Sequence, residues 1–192
     1  MTPEYDPDKH HRHSIRLRDW DYRTAGAYFI TIVARGRECL FGDVVDGLMN
    51  LNAYGRIVHE EWMRSTDIRS EIALDAFVVM PNHIHAIVII RNVGAYGRTP
   101  PVAHGAGAHS RVPLRPPRSL GSFIAGFKSV ATKRINETRG TPGIPVWQRN
   151  FYERVIRNDR ELNAIRQYIT DNPANWEQDT ENPARAPGSI VE

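Results

Sequence analysis

The chain has 192 residues, 41% of them hydrophobic and 24% charged, with a formal net charge of +3 and a pI near 9.2. That suffices for one domain with a substantial core, and no apolar run approaches the roughly 20 residues needed to span a bilayer. The single cysteine, Cys39, excludes an internal disulfide and a cysteine-based zinc cluster.

The opening MTPEYDPDKHHRH has no apolar signal core, which together with the lone thiol points to a reducing cytoplasm. Lysine occurs only at Lys9, Lys128 and Lys133, so arginine carries nearly all the positive charge. Its planar fork suits phosphates and bases, and it stacks on aromatic faces. Residues 1–23 read as a basic, solvated arm in which His10, His11 and His13 are exposed and Arg16 and Arg18 are candidate phosphate contacts.

Ala27–Ala34 (AYFITIVA) reads as a first strand. Asp46-Gly47, between GDVV and LMNL, marks a type I′ hairpin. Asn52 is placed to cap a helix running to about Thr66, with Ile57, Val58, Glu61 and Trp62 on one stripe. The stretch Phe77–Ile90, FVVMPNHIHAIVII, joins two buried strands, Ile72–Met80 and His83–Ile90, through Pro81-Asn82. Successive side chains in a strand alternate faces, so His83 and His85 point the same way. Two imidazoles so spaced can grip one divalent ion, or they can be half-exposed histidines at a hairpin mouth.

Residues 91–118, rich in Gly, Pro and Arg without apolar periodicity, read as a long insertion. Ser119 opens a helix that buries Leu120, Phe123, Phe127, Val130 and Ile135 and turns Lys128 and Arg134 outward; Gly140 ends it. Val146–Ile156 reads as a fourth strand. Asn158 and Glu161 form a capping box for a last helix, stopped by Pro173. From Glu177 the chain reads as frayed. The domain is thus expected over 24–176 and a tail over 177–192.

The order β-α-β-β-α-β plus one helix predicts an α+β, ferredoxin-like antiparallel sheet of the kind also used by RNA-recognition modules. On the last helix Leu162, Ile165 and Ile169 define the buried stripe, and Tyr168 and Asn172 fall together on its flank. Two readings stand for that pair: a tyrosine and an amide facing a site on the sheet, or a packing-edge tyrosine with Asn172 as a helix cap.

Taken together, PNHIHAIV, WQRNFYERVIRN and the helix ending QYITDNP resemble the single-tyrosine HUH transposases, in particular the REP-associated tyrosine transposases. The resemblance spans about residues 14–176 and is poorest over 91–118. It implies that His83 and His85 are metal ligands, that Tyr168 is the nucleophile, and that Asn172 supplies a third, amide ligand where many insertion-sequence relatives use glutamine. Tyr152 is the rival nucleophile.

The implied activity is metal-assisted nicking and strand transfer of single-stranded DNA beside a hairpin, through a covalent 5′-phosphotyrosine. The cofactor would be Mg²⁺ or Mn²⁺, although two imidazoles and an amide also accept zinc. Arg149, Arg154 and Trp147, with Lys128, Arg134 and the arm, are the candidates for tracking the DNA. A nucleoid-associated, cytoplasmic monomer is expected in preference to a homodimer. The competing reading is a catalytically silent nucleic-acid-binding protein on the same fold.

Overall fold

The structure, a computed structural model, describes residues 24–91 and 119–185. The arm with Arg16 and Arg18, and the insertion beyond Arg91, lie outside the described residues. In chain order the elements are β1 (Gly26–Val33), β2 (Gly42–Val45), β3 (Leu48–Leu51), α1 (Ala53–Met63), the single turn α2 (Ser65–Ile68), β4 (Ile72–Val79), β5 (His83–Ile90), α3 (Leu120–Arg139), β6 (Tyr152–Ile156) and α4 (Asp159–Asp171). Strands β4-β5-β1-β6 form one antiparallel sheet in that order, the ferredoxin-like arrangement, and β2-β3 form a separate hairpin.

Alternation along the strands assigns the helices to the two faces. Tyr28, Ile30 and Ile32 of β1 and Ile84, Ala86, Val88 and Ile90 of β5 point to one side, where they meet Trp62 of α1 and Phe123, Ile124 and Phe127 of α3. The other parity, Ala27 and Phe29 with Ile87 and Ile89, receives Leu162, Ile165 and Ile169 of α4. Each such fully buried side chain stabilises the fold by about 1.5–3 kcal/mol. His83 and His85 share the parity of Ile87, so both face the α4 side.

Local chemistry fixes the boundaries. The Asn52 Oδ1 accepts from the N–H groups of Tyr54 (2.8 Å) and Gly55 (3.0 Å), capping α1. Asp46 and Gly47 both take positive φ (51° and 73°), as a type I′ turn requires. Ser119 and Ser122 cap α3 reciprocally, and Gly140 closes it at φ 66°. α1 stops at Met63, and the turn α2 takes up the residues beyond it.

Four expectations change. Val130, placed on the buried stripe of α3, is 42% exposed, because the residues that α3 buries run Leu120, Phe123, Ile124, Phe127, Ala131 and Ile135 and leave it on the outer side. The fourth strand begins at Tyr152, not Val146: Lys128 Nζ donates to the carbonyls of Gln148 and Asn150, both at 2.9 Å, and before them only Trp147 bridges to Ala34. Glu161 turns back to the N–H of Arg157 rather than Asn158, while Asn158 Oδ1 still accepts from the Glu161 N–H. Residues 177–185 do not fray in the structure. A 3-10 turn over Trp176–Gln178 brings Asp179 into a buried position, and Glu181 O accepts from Asn82 Nδ2 at 2.7 Å.

β4 carries an irregularity that sequence patterning hides. Its register with β5 slips between Leu74 and Phe77, so the core parity switches from Ile72 and Leu74 to Phe77 and Val79. Asp75, inside the bulge, takes a fork from Arg166 of α4, with Nε to Oδ1 at 2.8 Å and Nη2 to Oδ2 at 2.6 Å. The fork holds its carboxyl below the usual range despite the opposing effect of burial. It ties the rotation of α4 to the sheet.

Candidate metal and tyrosine site

The site is built where the start of β5 meets the end of α4 and the segment after it. Asn82, in the turn before β5, is fully buried, and its Nδ2 donates to the carbonyls of Arg37 (3.1 Å) and Glu181 (2.7 Å). Its Oδ1 is therefore left to accept, and the atom facing it at 2.8 Å is His83 Nδ1. That assigns the proton of neutral His83 to Nδ1 and leaves a lone pair on Nε2. Nε2 is buried and has no hydrogen-bond partner. Burial, then the neighbouring His85, depress the His83 imidazole to a pKa of about 3, and the opposing pull of Asp179 does not compensate.

His85 is ordered in the same manner. Its Nδ1 lies 2.8 Å from Thr31 Oγ1, and Thr31 is its register partner on β1. Its Nε2 lies 3.1 Å from the Tyr168 hydroxyl, which arrives from α4 across 83 residues of chain. The structure thus brings His83, His85 and Tyr168 together.

A third acidic member comes from the segment after α4. Asp179 Oδ2 is 3.8 Å from His83 Nε2 and 3.9 Å from His85 Nε2. These separations are too long for hydrogen bonds. They suit three donors around one ion, since atoms that each lie about 2.0–2.2 Å from a shared metal are at most roughly 4.4 Å apart. Burial alone would raise the Asp179 carboxyl. His85, the Glu181 N–H, His83 and Asn172 outweigh it and hold the group ionised well below the usual range. Two imidazole lone pairs and one carboxylate, one lone pair orphaned, are a donor set that fits a divalent cation.

Asn172 also reaches the site. It is buried, its Nδ2 donates to Asp179 Oδ2 at 2.9 Å, and its Oδ1 is buried without a partner. The nitrogen is the end that faces Asp179 because only a donor is tolerated beside a carboxylate. Asn172 thereby holds the acid in place, and its oxygen is the remaining open donor of the cluster. Asp179 was invisible in sequence because Glu177, Asp179 and Glu181 alternate in a polar segment with nothing to single one out.

Tyr168 is half exposed, and its phenol is pushed up to about 12, by burial first and then by the Asp179 charge, with Asn172 acting the other way. Tyr152 lies on β6 opposite Thr31, across β1 from the histidines, and its ring meets the edge of Phe29.

The proposed DNA contacts are scattered. Trp147 is buried against Phe41 and Phe127, so neither face is open to a base. Arg134 is committed to Glu60 and Glu61 at 2.8 and 2.6 Å. Lys128 holds the 148–150 carbonyls, with Arg149 lining the same cleft beside α3. Arg154 pairs with Glu161 at 2.6 Å on the α4 side of the sheet.

Among the described residues no helix is long and apolar enough to cross a membrane. No protein-family model matches the chain. A solved structure of a REP-associated tyrosine transposase bound to a REP hairpin is similar over 84% of this chain and 73% of that one, with a TM-score of 0.53 at 18% identity, a likeness of fold. An uncharacterised protein of Haemophilus influenzae is 36% identical over 181 residues, covering 93% of this chain and 97% of that protein. At that identity over nearly the full length of both, the chain belongs to the family of the Haemophilus influenzae protein, on a fold shared with a tyrosine transposase.

Proposed function

We propose that the protein is a tyrosine transposase that nicks and rejoins single-stranded DNA beside a hairpin, with Tyr168 as nucleophile. The observation that carries this reading is the meeting of the Tyr168 hydroxyl with His85 Nε2 at 3.1 Å, beside the orphaned lone pair of His83. The fold likeness to a transposase bound to a REP hairpin supports the choice of substrate.

His83 Nε2, His85 Nε2 and Asp179 Oδ2 would hold Mg²⁺ or Mn²⁺, with Asn172 Oδ1 as a further donor. A bound cation supplies Lewis acidity to a non-bridging phosphate oxygen and offsets the charge that builds during transfer. Tyr168 Oη forms the new bond to phosphorus as the P–O3′ bond breaks. The phenol gives up its proton and the departing 3′-oxygen takes one up, leaving a 5′-phosphotyrosine and a free 3′-hydroxyl. Attack by a 3′-hydroxyl on that ester reverses the step and joins ends. The Asp75–Arg166 fork and the burial of Ile169 orient α4 so that the phenol remains over β5.

The cleft lined by Lys128, Ser129, Thr132 and Arg149, together with Arg16 and Arg18, would meet the phosphates of the stem. The active unit would be a cytoplasmic monomer acting at the nucleoid. Incubation with hairpin oligonucleotides and Mn²⁺ should yield a detergent-resistant adduct, absent in Tyr168→Phe although that variant still binds. An adduct that persists in Tyr168→Phe and vanishes in Tyr152→Phe would move the nucleophile to β6. No metal-dependent adduct on any hairpin would leave a silent binding protein.

A further inference from the structure

Among the described residues, the end of the sheet next to this site is left open by α4 and has its own chemistry. β6 is an edge strand, and Tyr152 at its start stands opposite Thr31, which stands opposite His85. Directly opposed residues point to one face, so His85, Thr31 and Tyr152 form a row across three strands, with Tyr152 two strand spacings, roughly 10 Å, from His85. Phe29, two residues back along β1, shares that face. Its ring stacks on His85 at 5.3 Å and meets the edges of Tyr168 at 6.0 Å and Tyr152 at 6.1 Å.

The two phenol rings therefore flank one phenylalanine that is itself in contact with a histidine of the site. α4 leaves this end open: Tyr152 is 37% exposed and Tyr168 46%. Among the described residues the Tyr152 hydroxyl has no hydrogen-bond partner, and packing employs only part of its ring. Two residues on, Arg154 lies opposite Phe29 with 59% of its side chain exposed, so its guanidinium, paired with Glu161 at 2.6 Å, borders the patch. A flat, sequence-tolerant π-surface bordered by a guanidinium is what a nucleobase stacks on.

We infer that Tyr152, backed by Phe29 and rimmed by Arg154, is a nucleobase subsite for the nucleotide adjoining the phosphate at Tyr168. The inference rests on the reading of the site as a DNA site. α4 packs over β4 and β5, so the side left open to a base beside a phosphate at His85 and Tyr168 is the one that carries Tyr152. The contact is by ring face and not by hydroxyl, so it positions the strand without reading its sequence.

The test is fluorescence anisotropy with a labelled twelve-residue oligothymidylate and an abasic oligomer of the same length, in EDTA so that no cleavage intervenes. The wild-type protein should bind the thymidylate more tightly. Tyr152→Leu, which keeps apolar packing on Phe29 but has no π-face, should weaken that binding about 5- to 100-fold and leave the abasic affinity unchanged. Tyr152→Phe should retain the wild-type preference. Equal loss for both oligomers in Tyr152→Leu, or an undiminished preference, overturns the subsite.

Adduct formation on hairpin oligonucleotides, run in parallel, separates the two readings. Adduct with a preference that survives Tyr152→Leu refutes the subsite alone. A preference abolished by Tyr152→Leu, with no adduct on any hairpin, upholds the stacking surface and refutes the transposase.

Discussion

The buried His83 ties the stability of the metal-free protein to pH in a window that can be isolated. In the folded chain its imidazole titrates at about 3, against 6.5 when exposed. Above pH 6.5 it is neutral in both states and contributes nothing to the pH dependence. Below 6.5 the unfolded chain takes up a proton that the folded chain refuses, so stability falls as pH falls, until both forms are charged near pH 3. At pH 5 the interval already traversed is about 1.5 units, worth about 2 kcal/mol; the whole window is worth about 5 kcal/mol. That is a large part of the 5–15 kcal/mol typical of a domain. Asp179 also favours the folded form, but its effect is lost only below its unfolded value of 3.8, outside the range from pH 7.5 to 4.5. Urea unfolding in EDTA across that range should therefore show a steeper loss for wild type than for His83→Gln, which retains an amide donor for Asn82 but cannot titrate. Parallel curves would refute the desolvation argument.

Other consequences follow from the same contacts. Saturating Mn²⁺ at neutral pH, at about 100 times its Kd, should raise stability by about 2.7 kcal/mol, or roughly 5–10 °C in Tm; differential scanning fluorimetry should find the rise abolished in His83→Ala. Arg166→Met, which removes the fork on Asp75, should slow adduct formation about 10- to 100-fold while hairpin affinity stays within twofold; an equal loss of binding would refute a purely orienting role. Ile169→Ala should lower unfolding free energy by about 2–5 kcal/mol, measured in urea, because the side chain is sealed between α4 and Ile87 and Ile156.

The sequence disclosed what period and capping encode. Alternation set His83 and His85 on one face, the 3.6-residue period set Tyr168 and Asn172 on the flank of α4, and the caps at Asn52, Ser119 and Gly140 are local chemistry. What escaped depends on contacts distant in sequence. Val146–Asn150 looks strand-like, yet Lys128 on α3 takes the carbonyls that a strand would offer to a neighbour. Trp147 looks like a base stacker among arginines, yet Phe41 and Phe127 enclose it. The bulge at Asp75 breaks no composition rule, so its pairing with Arg166, 91 residues on, leaves no local trace.

Asp179 is the sharpest such case, because it alters what the site can bind. With Asn172 directing its nitrogen at Asp179, the amide oxygen is not the group that lies between the two imidazole lone pairs; the carboxylate is. An acid there brings a full negative charge, which strengthens attraction for a divalent cation and keeps the Tyr168 phenol protonated in its absence. Asp179→Asn separates this role from packing. It preserves volume: its amide oxygen at the Oδ1 position still accepts from the Glu181 N–H that Asp179 now receives at 2.6 Å, and its nitrogen at the Oδ2 position donates to Asn172 Oδ1 once that amide turns over. The metal-free Tm should therefore move by no more than a few degrees, while the Mn²⁺ concentration needed for half of the thermal shift rises about tenfold or more. If Asp179 only fastens the closing segment, the metal-free Tm drops and the Mn²⁺ requirement does not change.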